Sequence, residues 1–318
     1  MDFSVQRSPW RVVSVSILVL IAFYLALFAA PRNFPSNGII GIERGSSASA
    51  IADQLSNEHI VSHALILELL LRLSGGSGGV HAGSYRFENP QNVFFVAYRL
   101  LAGDYGFPAV RITFPEGITV RESAAKIEEA FPGIKAVDFQ NAARQYEGYL
   151  FPDTYLFVPS EDAASIISLM RVNFDTKIGP LSDDIRASGR TLSDTIILAS
   201  LIEKEARTDE SRRMVAGILL NRLKLGMPLQ VDAVFGYIFN RDTYNPSFKD
   251  LTVDSPYNTY TYKGLPPGPI CNPGLSSIEA VLHPTKTKYL YYLTGKDNLM
   301  HYATTYAEHQ ANQKKYLR

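Results

Sequence analysis

The segment that most limits how this chain can fold is Thr191 to Arg207, TLSDTIILASLIEKEAR. Capping residues (Thr191, Ser193, Asp194) open it, and Ile196, Ile197, Leu198, Ala199, Leu201 and Ile202 follow. Apolar side chains on nearly every face demand a helix enclosed by protein, not one lying on a surface. A chain of 318 residues can enclose it and has room for two or three units. At the end of the segment three charges arrive together, Glu203, Lys204 and Glu205. A carboxyl placed where a buried helix ends meets apolar walls that raise its pKa towards that of a general acid.

Helical spacing separates the two glutamates. Successive residues turn by about 100°, which sets Glu203 and Glu205 about 200° apart and rules out a close acid–base pair. Glu203 has Arg207 at i+4, the favourable order for an ion pair that keeps it charged. Glu205 continues the row of Leu198, Leu201 and Ile202 and has Asp209 at i+4. Glu205 is therefore the candidate catalytic carboxyl, with Glu203 as the alternative. Two surface charges at the emerging end of a core helix would give the same pattern.

Lysines plus arginines number 31 and aspartates plus glutamates 31, so no global charge calls for nucleic acid. The single cysteine, Cys271, excludes an internal disulfide. No set of Cys and His residues has zinc spacing, and neither a metal nor another cofactor is expected. The uncharged run Val12–Ala30 is long enough to cross a bilayer. Arg7 and Arg11 precede it, which places the N-terminus in the cytoplasm and everything after Arg32 outside it. Pro31 directly after Ala29 and Ala30 is a poor context for signal cleavage, favouring a retained anchor in the inner (cytoplasmic) membrane.

After a spacer (31–38), the order strand, charged residue plus glycine, Ser/Thr cap and amphipathic helix occurs twice. It appears first at GIIGIERG with the helix from Ser47, then at AVRITFP–EG with the helix Thr119–Phe131. Further along, Leu229–Asn240 carries Gln230 and Asp232, which share a face if the segment is extended. The stretch Ser255–Gly274, SPYNTYTYKGLPPGPICNPG, has too many prolines and glycines for regular structure and reads as a shaped loop. Its Tyr257, Asn258 and Tyr260 offer ring and amide groups suited to sugars. Tyr289–Leu293 and Met300–Tyr302 read as a hairpin, followed by a last helix at Tyr306–Leu317.

Eight short motifs in order carry a family resemblance: EGYLFPDTY (from Glu147), LASLIEKEA (from Leu198), NRL (from Asn221), LQVD (from Leu229), SPYNTY (from Ser255), GLPPGPI (from Gly264), NPG (from Asn272), and Glu308–His309 with Asn312. Together they resemble the YceG-like family of endolytic murein transglycosylases. The resemblance implies an α+β protein with a single N-terminal transmembrane helix (12–30) after a cytoplasmic tail (1–11). It implies an N-terminal α/β module (39–108), a LysM-like module (109–158) and a lysozyme-related mixed α/β catalytic domain (159–318). It also implies cleavage of peptidoglycan glycan strands between N-acetylmuramic acid and N-acetylglucosamine, leaving 1,6-anhydro ends. The acid falls on Glu205, and Gln230, Asp232, Tyr257, Asn258 and Tyr260 on the substrate cleft. Peptidoglycan strands are the expected partner, with membrane-bound cell-wall synthases as candidate neighbours. Val231, Ala233 and Met300 depart from the family pattern.

Two rival readings remain at this point. Asp232 as a second carboxylate would make the chain a muramidase-type hydrolase. A tethered glycan-binding scaffold would use the βα modules and the tyrosine loop without catalysis.

Overall fold

The computed structural model describes residues 9–43, 45–75, 79–158, 161–241 and 246–317, so the expected cytoplasmic tail before Pro9 lies outside the described residues. Most of the apolar run forms helix α1 (Pro9–Phe28). Among the described residues no helix is long and apolar enough to cross a membrane, the side chains at several α1 positions being outside the description.

The chain divides into two compact units, one running to Ala109 with Val158, the other Val110–Phe157 with Glu161 onward. In the first unit, strand β1 (Gly38–Ile42) pairs antiparallel with β2 (Gly83–Phe87), Ile40 opposite Tyr85. Between them lie helices α2 (Ala48–Asn57) and α3 (Ala64–Leu73), and α4 (Val93–Ala102) follows β2. Ser47 caps α2 through the Ala50 amide, as its position predicts. Strand alternation turns Ile40 and Ile42 inward onto Leu55, Leu67 and Phe87.

The second unit opens with the same order. Strand β3 (Val110–Thr113), helices α5 (Val120–Ala130) and α6 (Ala136–Ala143) and strand β4 (Thr154–Phe157) form an antiparallel pair with two intervening helices. The sequence repeat of strand plus helix is thus a structural repeat of strand, two helices and strand. Thr119 and Glu122 form a complete capping box at the start of α5. This segment has its own apolar core, which Ile166, Ile167 and Met170 of α7 (Ala163–Ile178) complete. It nevertheless belongs to the same compact unit as the C-terminal segment, where the sequence suggested a separate module ending at residue 158.

The short α8 (Ser182–Ala187) leads into α9 (Leu192–Glu205), the helix around which the larger core is built. A Thr191–Asp194 capping box starts it, and every residue from Thr195 to Ile202 is buried. Helices α10 (Asp209–Lys224) and α12 (Leu275–Leu282) pack against α9 and each other, with α11 (Ala233–Ile238) beside it. Strands β5 (Tyr291–Thr294) and β6 (Met300–Ala303) make the expected hairpin, and α13 (Tyr306–Tyr316) closes the chain.

The Pro/Gly-rich loop is laid along α9 by specific polar contacts. Ser200, buried mid-helix, accepts the Ile270 amide at 3.1 Å, and Cys271 is fully buried beside it. Asn272 joins the loop to the β3–β4 segment. Its Oδ1 accepts the Leu150 amide at 3.0 Å and its Nδ2 donates to the Ile118 carbonyl at 2.9 Å. Its backbone also exchanges hydrogen bonds with Gly117 and Ile118. Gly148, at φ 84°, lies where a Cβ would press on Pro269 and Ile196, so the EGYLF turn needs glycine for both conformation and space.

Asn272→Ala strands the buried Leu150 amide, while the Ile118 carbonyl keeps the backbone amide of residue 272 and loses only its second donor. It is expected to lower unfolding stability by about 2 kcal/mol, measured as a shift in denaturant midpoint. Wild-type stability in that variant would remove Asn272 as the fastening.

Candidate active site

Helix α9 ends at Glu205, and Ala206 is already extended. The i+4 partners expected from continued helix therefore do not exist. Glu203 pairs with Arg212 of α10 (2.9 Å), not Arg207, and also accepts the Gly274 amide (2.9 Å) and the Ser277 hydroxyl (2.8 Å). Its side chain is only 5% exposed, and all its bonds are structural, tying α9, α10 and α12 together.

Glu205 points the other way, as its angular offset from Glu203 requires. It lines a cavity of about 600 Å³ with Asp232, Ala233, Tyr237, Glu147 and Lys204 among its neighbours. Its carboxyl is set deep in protein while part of its surface opens on the cavity. Burial pushes its pKa from about 4.5 to about 7. The Tyr292 hydroxyl, 3.0 Å from Oε2, pulls back, the nearby Asp232 charge adds to the rise, and the Ala233 amide opposes it. The C-terminal end of a helix, with its partial negative charge, is also a poor place for a carboxylate.

The stretch around Asp232 is not extended, so the condition for Gln230 and Asp232 to share a strand face is not met. Gln230 holds a left-handed backbone (φ 52°), and α11 begins at Ala233. The cause is buried Arg222, whose guanidinium collects the carbonyls of Pro228, Leu229 and Leu290 and the Gln230 Oε1. The chain bends around that cation while the Gln230 amide donates to the Thr259 carbonyl. A non-glycine residue in this conformation marks a position fixed by its surroundings.

Of the residues singled out from sequence, Glu205 and Asp232 line the cavity. Gln230, Tyr257, Asn258 and Tyr260 stand outside the lining. Asn258 is a correction: it is fully buried, its amide donating to Leu251 and Val253 and accepting from Tyr260 N–H, so it shapes the loop and has no group left for sugar. The Tyr260 hydroxyl donates to Asp232, and Tyr257 packs on Tyr237 with ring centres 5.0 Å apart. These tyrosines position cavity residues.

Sequence reasoning missed Glu147, Tyr292, Tyr237 and Arg222. Glu147 lies inside EGYLFPDTY, where its charge next to an aromatic turn was a usable signal. Its two oxygens accept the Val120 amide at 3.0 and 3.2 Å. Burial raises its pKa to about 8, the Val120 amide opposing, the Glu122 charge adding, and Lys204 and Arg121 opposing. Tyr292 sat in YLYYL, where strand alternation separates its face from that of Tyr291 but does not say which face meets Glu205.

An α+β unit with two carboxyls, Glu205 and Glu147, raised by burial in one cavity is the class that fold and site define. The YceG-like family matches residues 40–315. A Bacillus subtilis (strain 168) protein named endolytic murein transglycosylase is 32% identical over 305 residues, 87% of this chain and 84% of that protein. A Streptococcus pneumoniae serotype 2 (strain D39) protein of the same name is 27% identical, and the chain spans 57% of its length. The 2.6 Å crystal structure of a yceG-like protein from Listeria monocytogenes superposes with a TM-score of 0.59 at 30% identity, covering 87% of this chain and 99% of that one. The chain belongs to the YceG-like family.

The folded chain holds the Glu147 and Glu205 protons more tightly than the unfolded chain does. Folding therefore takes up protons, and stability falls as pH rises from about 5 to about 8. Denaturant midpoints across that window should decline for the wild type and flatten for Glu147→Gln and Glu205→Gln. Parallel profiles for all three would show that neither group titrates there.

Proposed function

We propose that this chain is an endolytic murein transglycosylase, the activity for which its Bacillus subtilis relative is named, and that Glu205 is its acid and base in turn. The observation that carries this reading is the setting of Glu205: in the cavity, its pKa lifted by burial to about 7, and supplied with two donors ready for its anion.

The chemistry follows from that setting. Protonated Glu205 donates to the glycosidic oxygen between N-acetylmuramic acid and N-acetylglucosamine as the C1–O bond breaks through an oxocarbenium-like state. The leaving sugar departs with a 4-hydroxyl. Tyr292 O–H and Ala233 N–H stabilise the carboxylate that remains. That carboxylate takes the proton from the muramic C6 hydroxyl as its oxygen bonds to C1, closing a 1,6-anhydro ring and restoring the acid. A pKa near 7 suits a group that must give and recover one proton. Tyr260 holds Asp232 by a hydrogen bond beside the acid, where its charge sustains the raised pKa.

Glu205→Gln should cut release of anhydro-muropeptides from sacculi by about 10³-fold with little change in melting temperature. Glu203→Gln should instead destabilise the fold, because it weakens the pairing of the largely enclosed Arg212. Mass spectrometry separates the rivals. Reducing ends in place of anhydro ends would mean hydrolysis assisted by Asp232, and no cleavage would leave a binding scaffold.

The two strand–helix–helix–strand segments are read as LysM-like modules that rest on glycan. Membrane anchoring is assigned to Val12–Ala30. Helix α1 has twenty residues, a length of about 30 Å, and Val13, Val15 and Ile17 to Leu20 are each at least half exposed. Phe28 at its end packs on Phe94 of α4, and α3 in the same unit exposes Leu65, Leu69 and Leu73, an apolar stripe suited to a lipid surface. The full chain should stay with membranes through an alkaline carbonate wash, whereas a chain starting at Arg32 should be released. Release of both would remove the anchor.

A further inference from the structure

A second cavity, of about 580 Å³, opens beside the first, and the two share Arg121, Glu122, Gln140 and Lys204 in their walls. The junction is one residue from the proposed acid, since Lys204 precedes Glu205. From there the second cavity runs over the Pro115–Ile118 loop and between α5 and α6, past Ala125, Lys126 and Ala136. It has no part in the bond-breaking chemistry described above.

Its lining has a definite chemical bias. Pro115, Ile118, Ala125 and Ala136 give small apolar walls, and Arg121, Lys126 and Lys204 bring three cations. Two carboxylates are also present, which leaves a net excess of one positive charge in the lining. Glu122 accepts the Thr119 amide and hydroxyl, and Glu116 lies 3.7 Å from Arg212. Small apolar surface with a cationic excess fits a short peptide bearing methyl side chains and free carboxylates.

A muramic acid residue is a branched substrate. Its C1 joins the next sugar, while its 3-O-lactyl group carries a peptide stem that begins with alanine and ends in a carboxylate. With C1 at Glu205, the stem must leave the glycan cavity within about one sugar's width of the acid. The junction at Lys204 and Arg121 is an exit at that position. We propose that the second cavity is the subsite for the peptide stem, with Lys204, Arg121 and Lys126 reading its carboxylates and Ala125 and Ala136 its methyl groups. The assignment rests on the transglycosylase reading and deepens it by giving the peptide stem of murein a place in the fold.

The test separates binding from cleavage. Full-length Glu205→Gln chain in detergent is titrated with uncross-linked peptide-bearing strands, with the same strands after amidase removal of the stems, and with chitin oligosaccharides. Peptide-bearing strands should bind about tenfold more tightly than denuded ones. Ala125→Tyr, at an exposed helix position, and Lys126→Glu, likewise exposed, should bring the ratio towards one without changing the affinity for denuded strands or the melting temperature.

A ratio near one in the parent, or an unchanged ratio in both variants, overturns the subsite. Denuded strands keep a free lactyl carboxylate. If Lys126→Glu weakens them as much as the peptide-bearing ones, the cavity reads muramic acid itself and the stem assignment fails. Equal loss for chitin would make it a general glycan groove, and the stem assignment would fail there too. Anhydro products are scored separately on the unsubstituted chain. Selective stem binding without such products would sink the enzyme reading and leave the subsite standing.

Discussion

A buried carboxyl is costly unless its charge is met by hydrogen bonds and counter-charge, and the end of α9 treats two such groups in opposite ways. Glu203 receives a guanidinium, an amide and a hydroxyl, so its charge becomes part of the packing of three helices. Glu205, two residues on, receives a phenol and one amide beside a like charge, and its proton stays until near neutrality. The rest of the second unit can be understood as holding this asymmetry in place. Helix α9 must be buried along its length to present its last turn at a cavity wall. That requires α10, α11, α12 and the Pro/Gly-rich loop to cover it.

The loop accomplishes this because its polar groups are fastened at few points. Ser200 and Asn272 are polar positions in otherwise apolar surroundings, and each satisfies backbone groups that a loop cannot satisfy itself. Asn258 does the same at the other end, taking the carbonyls of Leu251 and Val253. With these bonds made, the prolines fix the path between them and the tyrosines face the cavity residues they position. Buried Arg222 plays the equivalent part for the Leu229–Asp232 turn, where its guanidinium replaces a strand partner for the bending chain.

Much of this was legible in residue order. The all-round apolar pattern of Ile196 to Ile202 identified an enclosed helix, and the 100° step per residue placed Glu203 and Glu205 on different sides of it. The caps at Ser47, Thr119 and Thr191 and the hairpin after Tyr291 were equally local, and all are present. What failed depended on tertiary partners. The i+4 pairing of Glu203 with Arg207 assumed that the helix continued, whereas the chain turns extended at Ala206 so that Thr208 can cap α10. The conformation of Leu229–Asn240 stayed open because it depends on Arg222, which lies upstream in another element. Asn258 looked like a sugar-binding amide because its commitment to its own loop is invisible without the fold. Glu147 was passed over since its desolvation depends on α5, whose first amide it caps across 27 residues of sequence.

Comparing Glu147 with Glu205 shows why helix polarity alone does not set proton affinity here. Glu147 lies at the N-terminal end of α5, where the dipole and the Val120 amide favour an anion, yet its pKa reaches about 8. Glu205 lies at the C-terminal end of α9, where the dipole opposes an anion, and it too is raised, to about 7. Both carboxyls are raised by burial although the dipoles act on them in opposite senses, so desolvation outweighs the dipoles. Glu205 has a phenol aimed at it from the β5–β6 hairpin, and that donor strengthens its bond as the carboxyl ionises. A group stabilised specifically in its charged form, within a site that otherwise prefers it neutral, is balanced for proton exchange in both directions. Chemistry with one carboxyl requires that balance, because the same atoms must act as acid in one half of the reaction and as base in the other.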